Sequence, residues 1–339
     1  MKKRLLALSL ALCMAFGLAA CKPAAPEVTP TATPTATPAE KTAVNFTVLK
    51  GPTGMGAVKL MADNDAKTAQ NDYTFTVAAD NPEVAGLLTK GETDIAAMAS
   101  NVAASLYNKT GDIQTIALGT LGVLYIMDST GAVKTMNDLA GRTLYATGQG
   151  ANPEYILRYI LEQNGLEMGG DVNVQWLPSD ELVAKAAAGE ISLCMLPVPA
   201  ATALMVQTKD AAAPFKQALD LTAEWKATEN GSQLTMTSVV VRKAFLEEHP
   251  EAVAAFLEEY AASIEYVNQN AADASKLMEQ YGIVPKAKIG ELAVPQANLV
   301  CITGDKIQET IQAYYEILFA ADAKSIGGSV PSDGFYFKG

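Results

Sequence analysis

The chain has 339 residues, of which 49% are hydrophobic and 18% charged, and an excess of acid leaves a formal net charge of -12. So acidic a surface repels the phosphate backbone of nucleic acids and anionic lipid headgroups, which excludes nucleic-acid binding and unaided adhesion to an anionic membrane. Only one histidine (His249, in LEEHPEAV) and four cysteines are present. No His/Cys/Asp grouping has metal-ligand spacing and no serine or cysteine has a histidine partner, so neither a metal nor a cofactor nor nucleophilic catalysis is expected.

In chain order, Lys2, Lys3 and Arg4 precede LLALSLALCMAFGLAA, an apolar run short of the roughly 20 residues that a stable span needs. This is the pattern of a secretion signal. The stretch LAAC, Leu18 to Cys21, resembles a bacterial lipobox, which implies cleavage before Cys21 and its acylation. Residues 1–20 are expected to be the signal peptide and 21–41 a lipidated tether, because PAAPEVTPTATPTATPAEK lacks apolar periodicity and cannot bury enough surface to offset its ordering entropy. Loss of the signal removes three positive charges and takes the net charge to -15, leaving acyl chains as the means of membrane attachment. Of the remaining cysteines, Cys194 in ISLCML and Cys301 in NLVCIT read as two buried thiols, with a bridge between them left open.

The body beyond residue 42 alternates strand and helix signals, which is an α/β pattern. NFTVLK (45–50) reads as a strand, Gly56 to Ala69 as a helix, YTFTVAA (73–79) as a strand, PEVAGLLTKG (82–91) as a helix and DIAAMA (94–99) as a buried strand. A second segment repeats this order. TGMGA (53–57) has its counterpart in TGQGA (147–151), VNVQWLP (172–178) matches YTFTVAA, ELVAKAAAGE (181–190) matches the helix ending in KGE, and ISLCMLPVPAAT (191–202) matches TDIAAMASNVAA. The loop-to-GE spacing is 38 residues from Thr53 to Gly91 and 42 from Thr147 to Gly189. The second helix has the sharper start, with Asn152 as its expected cap, Pro153 and Glu154 in its first turn and an apolar stripe from Ile156 to Leu161. Two similar lobes follow, each with glycine loops at strand carboxyl ends, where open parallel sheets hold ligands.

Neither glycine loop is a nucleotide cradle. A Walker loop needs Lys-Ser/Thr after its glycines, whereas the chain runs MGAVKL and QGANPE, and the third position of a dinucleotide fingerprint is Lys59. Further on, FKQALDL (215–221) reads as a strand, WKATENGSQ (225–233) as turns and LTMTSVVVR (234–242) as a strand returning to the first lobe. With GVLYIMD (122–128) it makes two crossings, a hinge of two strands. The remainder is helical over HPEAVAAFLEEYAASIEYVNQN and IQETIQAYYEILFAAD, and DGFYFKG closes the chain as a packed or frayed tail.

GETDIAAMA, DLAGRTLYATGQGANPEYILRYILEQNGL and SVVVRKAFLEEHPEAVAAFLEEYAASIEYVNQN together resemble the nitrate/sulfonate/taurine and thiamine-precursor group of substrate-binding proteins of ABC importers, over nearly all of residues 44–320. The resemblance implies a type II periplasmic binding protein fold in two lobes, 42–124 with 236–339 and 125–235, acting as a monomer beside an ABC permease and ATPase. It implies a ligand site built from Thr53, Gly54 and Met55, Ser100 and Asn101, Thr147, Gly148, Gln149, Gly150, Ala151 and Asn152, and Pro197, Val198 and Pro199, with Thr120 and Tyr125 beside the crossing. Trp176 and Trp225 are the side chains able to stack on an aromatic ligand, Trp176 reading rather as lobe packing. The segments bring few cations, so a neutral or mildly polar organic ligand suits them at least as well as a sulfonate. A receptor lobe for a membrane sensor, or a thiamine-precursor-type biosynthetic enzyme, are the alternative functions of this architecture.

Overall fold

The first strand, β1 (Ala43–Leu49), places Val44, Phe46 and Val48 on its buried face. The computed structural model describes residues 41–339, and the signal sequence, Cys21 and the tether up to Glu40 lie outside the described residues. After β1 come α1 (Pro52–Met55), α2 (Val58–Asp65), β2 (Asp72–Ala78), α3 (Asn81–Lys90), β3 (Ile95–Ala99), α4 (Ser100–Thr110) and β4 (Ile113–Leu121). Local chemistry sets these boundaries. The Asp80 side chain accepts from Glu83 N at 2.9 Å to start α3, and Gly91 ends it in the left-handed conformation with φ 74°.

The chain then crosses to β5 (Leu124–Asp128), β6 (Thr143–Ala146), α5 (Asn152–Gln163), β7 (Asn173–Trp176), α6 (Ser179–Ala187), β8 (Leu193–Pro197), α7 (Ala200–Thr208), β9 (Lys216–Asp220) and α8 (Leu221–Ala227). It returns through β10 (Thr235–Arg242) and finishes with α9 (Lys243–Glu248), α10 (Pro250–Gln269), α11 (Ala271–Gln280), α12 (Ala287–Ala293), β11 (Leu299–Ile302) and α13 (Lys306–Ala321). None of the described helices is long and apolar enough to cross a membrane.

Two sheets result, a six-stranded one ordered β11-β4-β10-β3-β1-β2 and a five-stranded one ordered β7-β6-β8-β5-β9. They carry the repeat seen in the sequence. In the first, β1 pairs parallel with β2 and β3, and β3 then meets antiparallel β10. In the second, β6 pairs parallel with β7 and β8, and β8 meets antiparallel β5. Each antiparallel strand is the one the chain enters directly after crossing between the sheets. This is the two-lobe α/β architecture of type II periplasmic binding proteins.

At the crossing, a Cβ on Gly122 would stand 2.2 Å from Thr222 Oγ1, so the backbone before β5 runs against the first turn of α8 where only glycine fits. Helix α10 closes the first lobe. Its Phe256 meets Phe46 of β1 edge-on, with ring centroids 4.9 Å apart, and stacks on its own Tyr260 at 5.4 Å. Burying each such ring contributes about 1.5–3 kcal/mol.

Three sequence expectations change here. The helix expected from Gly56 to Ala69 is the shorter α2, which stops at Asp65, and a separate helical turn, α1, precedes it. The turn-rich reading over 225–233 holds from Thr228 onward, but Trp225 to Ala227 end the helix α8, which Asp220 caps by accepting from Thr222 N at 2.8 Å. Asn152 is not a cap but the first residue of α5, and its amide is used elsewhere. The tail is packed: Phe335 and Tyr336 are buried, and Phe337 N donates to Thr115 O. Cys194 and Cys301 are free thiols on different sheets, Cys194 buried and Cys301 partly so.

Candidate ligand site

The carboxyl ends of β1 and β3 lie on one edge of the first sheet, and those of β6 and β8 on one edge of the second, because each pair runs parallel. The four loops that follow lead into α1, α4, α5 and α7, so helix amino ends gather on these edges. The two lobes touch there. A Cβ on Gly51 would stand 3.5 Å from Pro199 Cδ, and Asn101 N donates to Asn152 Oδ1 at 3.3 Å.

The glycines of the first loop serve packing. A Cβ on Gly54 would stand 2.5 Å from Leu49 O and 2.7 Å from Ile283 Cδ1, and one on Gly56 would stand 2.9 Å from Ile264 Cγ1. Thr53 and Met55 are buried beside them, Met55 within the core shared with α10. In the second loop the reason differs. Gly148 has φ 88° and its Cβ would stand 2.5 Å from Pro153 Cγ, so the turn into α5 needs glycine on two counts. Gln149 and Gly150 are exposed and Ala151 is partly so, while the Thr147 hydroxyl accepts from Ser179 Oγ at 3.1 Å.

Ser100, Asn101 and Asn152 converge on one buried polar junction. Asn152 Nδ2 donates to Ser100 Oγ at 3.0 Å and to Met236 O at 2.8 Å, and its Oδ1 accepts from Tyr314 OH at 3.0 Å as well as from Asn101 N. That fills the amide's hydrogen-bonding capacity. Ser100 Oγ donates onward to Thr235 O at 2.6 Å, and Tyr315 OH donates to Ser100 O at 2.9 Å. Asn101 Nδ2 donates to Ser325 O at 3.1 Å and to Gly150 O at 3.5 Å.

Two polar atoms in these first helical turns are sealed from solvent without a partner: Asn101 Oδ1 in α4 and Thr202 Oγ1 in α7. Their residues are 1% and 2% exposed. A buried polar atom without a partner costs roughly 1–3 kcal/mol.

Around the crossing, Thr120 of β4 faces Thr237 and Leu299, and Tyr125 of β5 faces Leu196. Burial, with the nearby Asp220 charge, pushes the Tyr125 hydroxyl up to about 12, so it stays a neutral donor at any ordinary pH. Pro197 is partly exposed, Val198 and Pro199 are buried, and Val198 N donates to Val123 O at 3.1 Å, tying the β8 loop to the crossing. Trp225 is core: 1% exposed, it donates from Nε1 to Ser232 Oγ at 3.0 Å and packs between Tyr159 (4.7 Å) and Tyr314 (5.6 Å). Trp176 is half-buried at the end of edge strand β7.

Sequence reasoning missed Thr202, Ser179, Tyr314 and Tyr315. Thr202 is the last residue of the matched segment ISLCMLPVPAAT and Ser179 directly follows VNVQWLP, so a closer alignment of the two copies reaches both. Tyr314 and Tyr315 sit about 160 to 215 residues from their partners in an ordinary amphipathic helix, where no local signal marks them. Among the described residues no group of three or more His, Cys, Asp and Glu side chains is arranged to hold a metal.

The family model described as NMT1/THI5 like matches residues 72–274, more than half of the chain. Among curated proteins none matches. Among solved structures, an ABC transporter from Parabacteroides distasonis is similar with a TM-score of 0.71 at 20% identity, covering 87% of this chain and 99% of that one. The periplasmic aliphatic sulphonate binding protein SsuA from Escherichia coli is similar with a TM-score of 0.69 at 13% identity, covering 87% and 92%. The alkanesulfonate-binding protein SsuA from Xanthomonas axonopodis pv. citri, bound to MOPS, gives 0.67 at 15% identity, covering 87% and 96%.

Proposed function

The chain belongs to the NMT1/THI5-like family, and on that premise we propose that it captures a small organic solute between its lobes and delivers it to an ABC importer, without changing it chemically. The observation that carries this reading is the meeting of four strand-end loops across the lobe boundary, Gly51 against Pro199 and Asn101 against Asn152, with two chain crossings behind them. Such a hinge lets a ligand that touches both lobes favour the closed form, which a permease and its ATPase can then engage. Lobe boundaries of 42–124 with 236–339 and 125–235 follow from the same reading.

The ligand's contacts are assigned to Thr53, Asn101, Thr147, Gln149 and the Pro197–Pro199 turn, with Met55 as an apolar wall and Thr202 added. Cleavage and acylation at Cys21 place the protein on the extracytoplasmic face of the membrane, tethered through residues 21–41. Native mass spectrometry of the protein, before and after mild unfolding, tests the capture: a stoichiometric small molecule released on unfolding is the expected result. A protein that carries none, and that no compound of a metabolite extract stabilises against heat, rejects it. Incorporation of radiolabelled palmitate that disappears in Cys21→Ser tests the anchor.

A further inference from the structure

At two of the four helix starts, this chain's own side-chain oxygens occupy backbone N–H groups that could meet an anion. Helix α4 has Ala99 N donating to Asn81 Oδ1 at 2.8 Å and Asn101 N donating to Asn152 Oδ1 at 3.3 Å. Before α5, Gly150 N donates to Glu154 Oε2 at 2.8 Å, while Glu154 Oε1 is paired with Arg158 at 2.8 Å. A carboxylate therefore stands before α5 where a sulfonate or nitrate would seek backbone N–H groups, and Arg158 one turn further pairs with it through one terminal nitrogen, its buried Nε being left without a partner. Lys59, the other basic residue beside the loops, is paired with Asp63, and Lys50 is exposed. Helices α1, of only four residues, and α7 start without a side-chain cap, and a helix end alone does little to offset the desolvation of an anion.

What the junction lacks is a donor. Asn101 Oδ1 is an acceptor sealed among protein atoms with nothing bonded to it, while its Nδ2 is held by two carbonyl oxygens that fix which way the amide faces. We infer that the ligand is uncharged or cationic and offers an N–H or O–H group to Asn101 Oδ1, so that this chain departs from the anion binders whose fold it shares. The inference rests on the solute-capture reading above and narrows it.

The test uses the full-length protein in detergent and a bacterial metabolite extract split on an anion exchanger. The two fractions, and ethanesulfonate, nitrate, cytosine and agmatine as pure probes, are compared by thermal shift, and any stabilising compound is carried to calorimetry. The expected result is stabilisation by the unretained fraction, none by ethanesulfonate or nitrate, and at least tenfold weaker binding of the active compound in Asn101→Leu. Stabilisation by the retained fraction or by either anion alone overturns the ligand class and leaves solute capture standing. No stabilisation by either fraction overturns solute capture, and this inference with it. Unchanged affinity in Asn101→Leu overturns the contact at Asn101, and should that variant fail to fold, the two fractions still decide the class.

Discussion

Asn152 and Ser100, 52 positions apart and on different lobes, are bonded through Asn152 Nδ2 and Ser100 Oγ at 3.0 Å inside a junction that excludes solvent. The bond joins the amino end of α5 to that of α4 and is reinforced by Met236 O and Tyr314 OH. Both residues read in the sequence as ligand contacts, yet in the folded chain each has protein partners. The junction therefore holds the lobes in register on one side of the site.

Asn152→Ala is accordingly expected to cost stability. It leaves Tyr314 OH, Met236 O and Asn101 N short of a partner, and unsatisfied buried groups of this kind cost about 1–3 kcal/mol each, so a loss of about 3 kcal/mol is expected before relaxation. Urea denaturation monitored by tryptophan fluorescence measures it, since Trp225 packs on Tyr314. A variant as stable as the parent would mean that the junction contributes nothing to the lobe boundary.

Gly122→Ala brings a methyl group to 2.2 Å from Thr222 Oγ1, a distance that forces the first crossing away from the first turn of α8. Overpacking of this kind costs about 1–3 kcal/mol. Thr222→Ala removes the closest atom, so the double variant should recover part of the loss, and a double-mutant cycle that came out additive would exclude direct contact between the first crossing and α8.

The acid limb of stability should depend on Asp128. Burial pushes its carboxyl up, but hydrogen bonds from Val133 N and from Thr130 N and Oγ1 outweigh it and hold the carboxyl below the usual aspartate range. A depressed folded pKa means stability that is complete above the unfolded value, near 3.9, and is lost as the pH falls through the folded one. Melting temperatures of the parent and Asp128→Asn should therefore converge as the pH drops below about 4. Parallel curves across that window would contradict the assignment.

Burial raises the Cys194 thiol well above the ordinary range and pushes Cys301 up to about 11, so at pH 8 the thiolate fraction of Cys301 is about one thousandth. Iodoacetamide should label neither quickly in the native protein and both after unfolding in guanidinium, as mass spectrometry of the peptides would report. Rapid native labelling of Cys194 would mean that β8 is open to solvent.

Much of the architecture is legible in the chain because its signals are local. Period-2 alternation in NFTVLK and YTFTVAA, glycine stops after KGE and AAAGE, and the repeat of TGxGA at similar spacing each depend on residues a few positions apart. That repeat reappears as the matching orders β3-β1-β2 and β8-β6-β7, and the two crossings fall at Gly122 and ahead of β10 as the apolar runs indicate. The turn reading from Trp225 missed only its first three residues, for a local reason too: the capping oxygen of Asp220 starts α8, which runs to Ala227 before Thr, Asn, Gly and Ser make the expected turns.

By itself, then, the sequence determined the α/β class, the doubling of the body and which strand ends face the boundary, since periodicity and turn chemistry act over short range. Only the tertiary structure decided what the polar residues at those strand ends do. Hydrogen bonding saturates, so the role of Asn152 depends on whether Ser100, Met236 and Tyr314 reach it first, and that of Asn101 on one oxygen left without a partner. Tyr314 lies 162 positions from Asn152, and at such separations only the packing of the whole chain settles which groups meet.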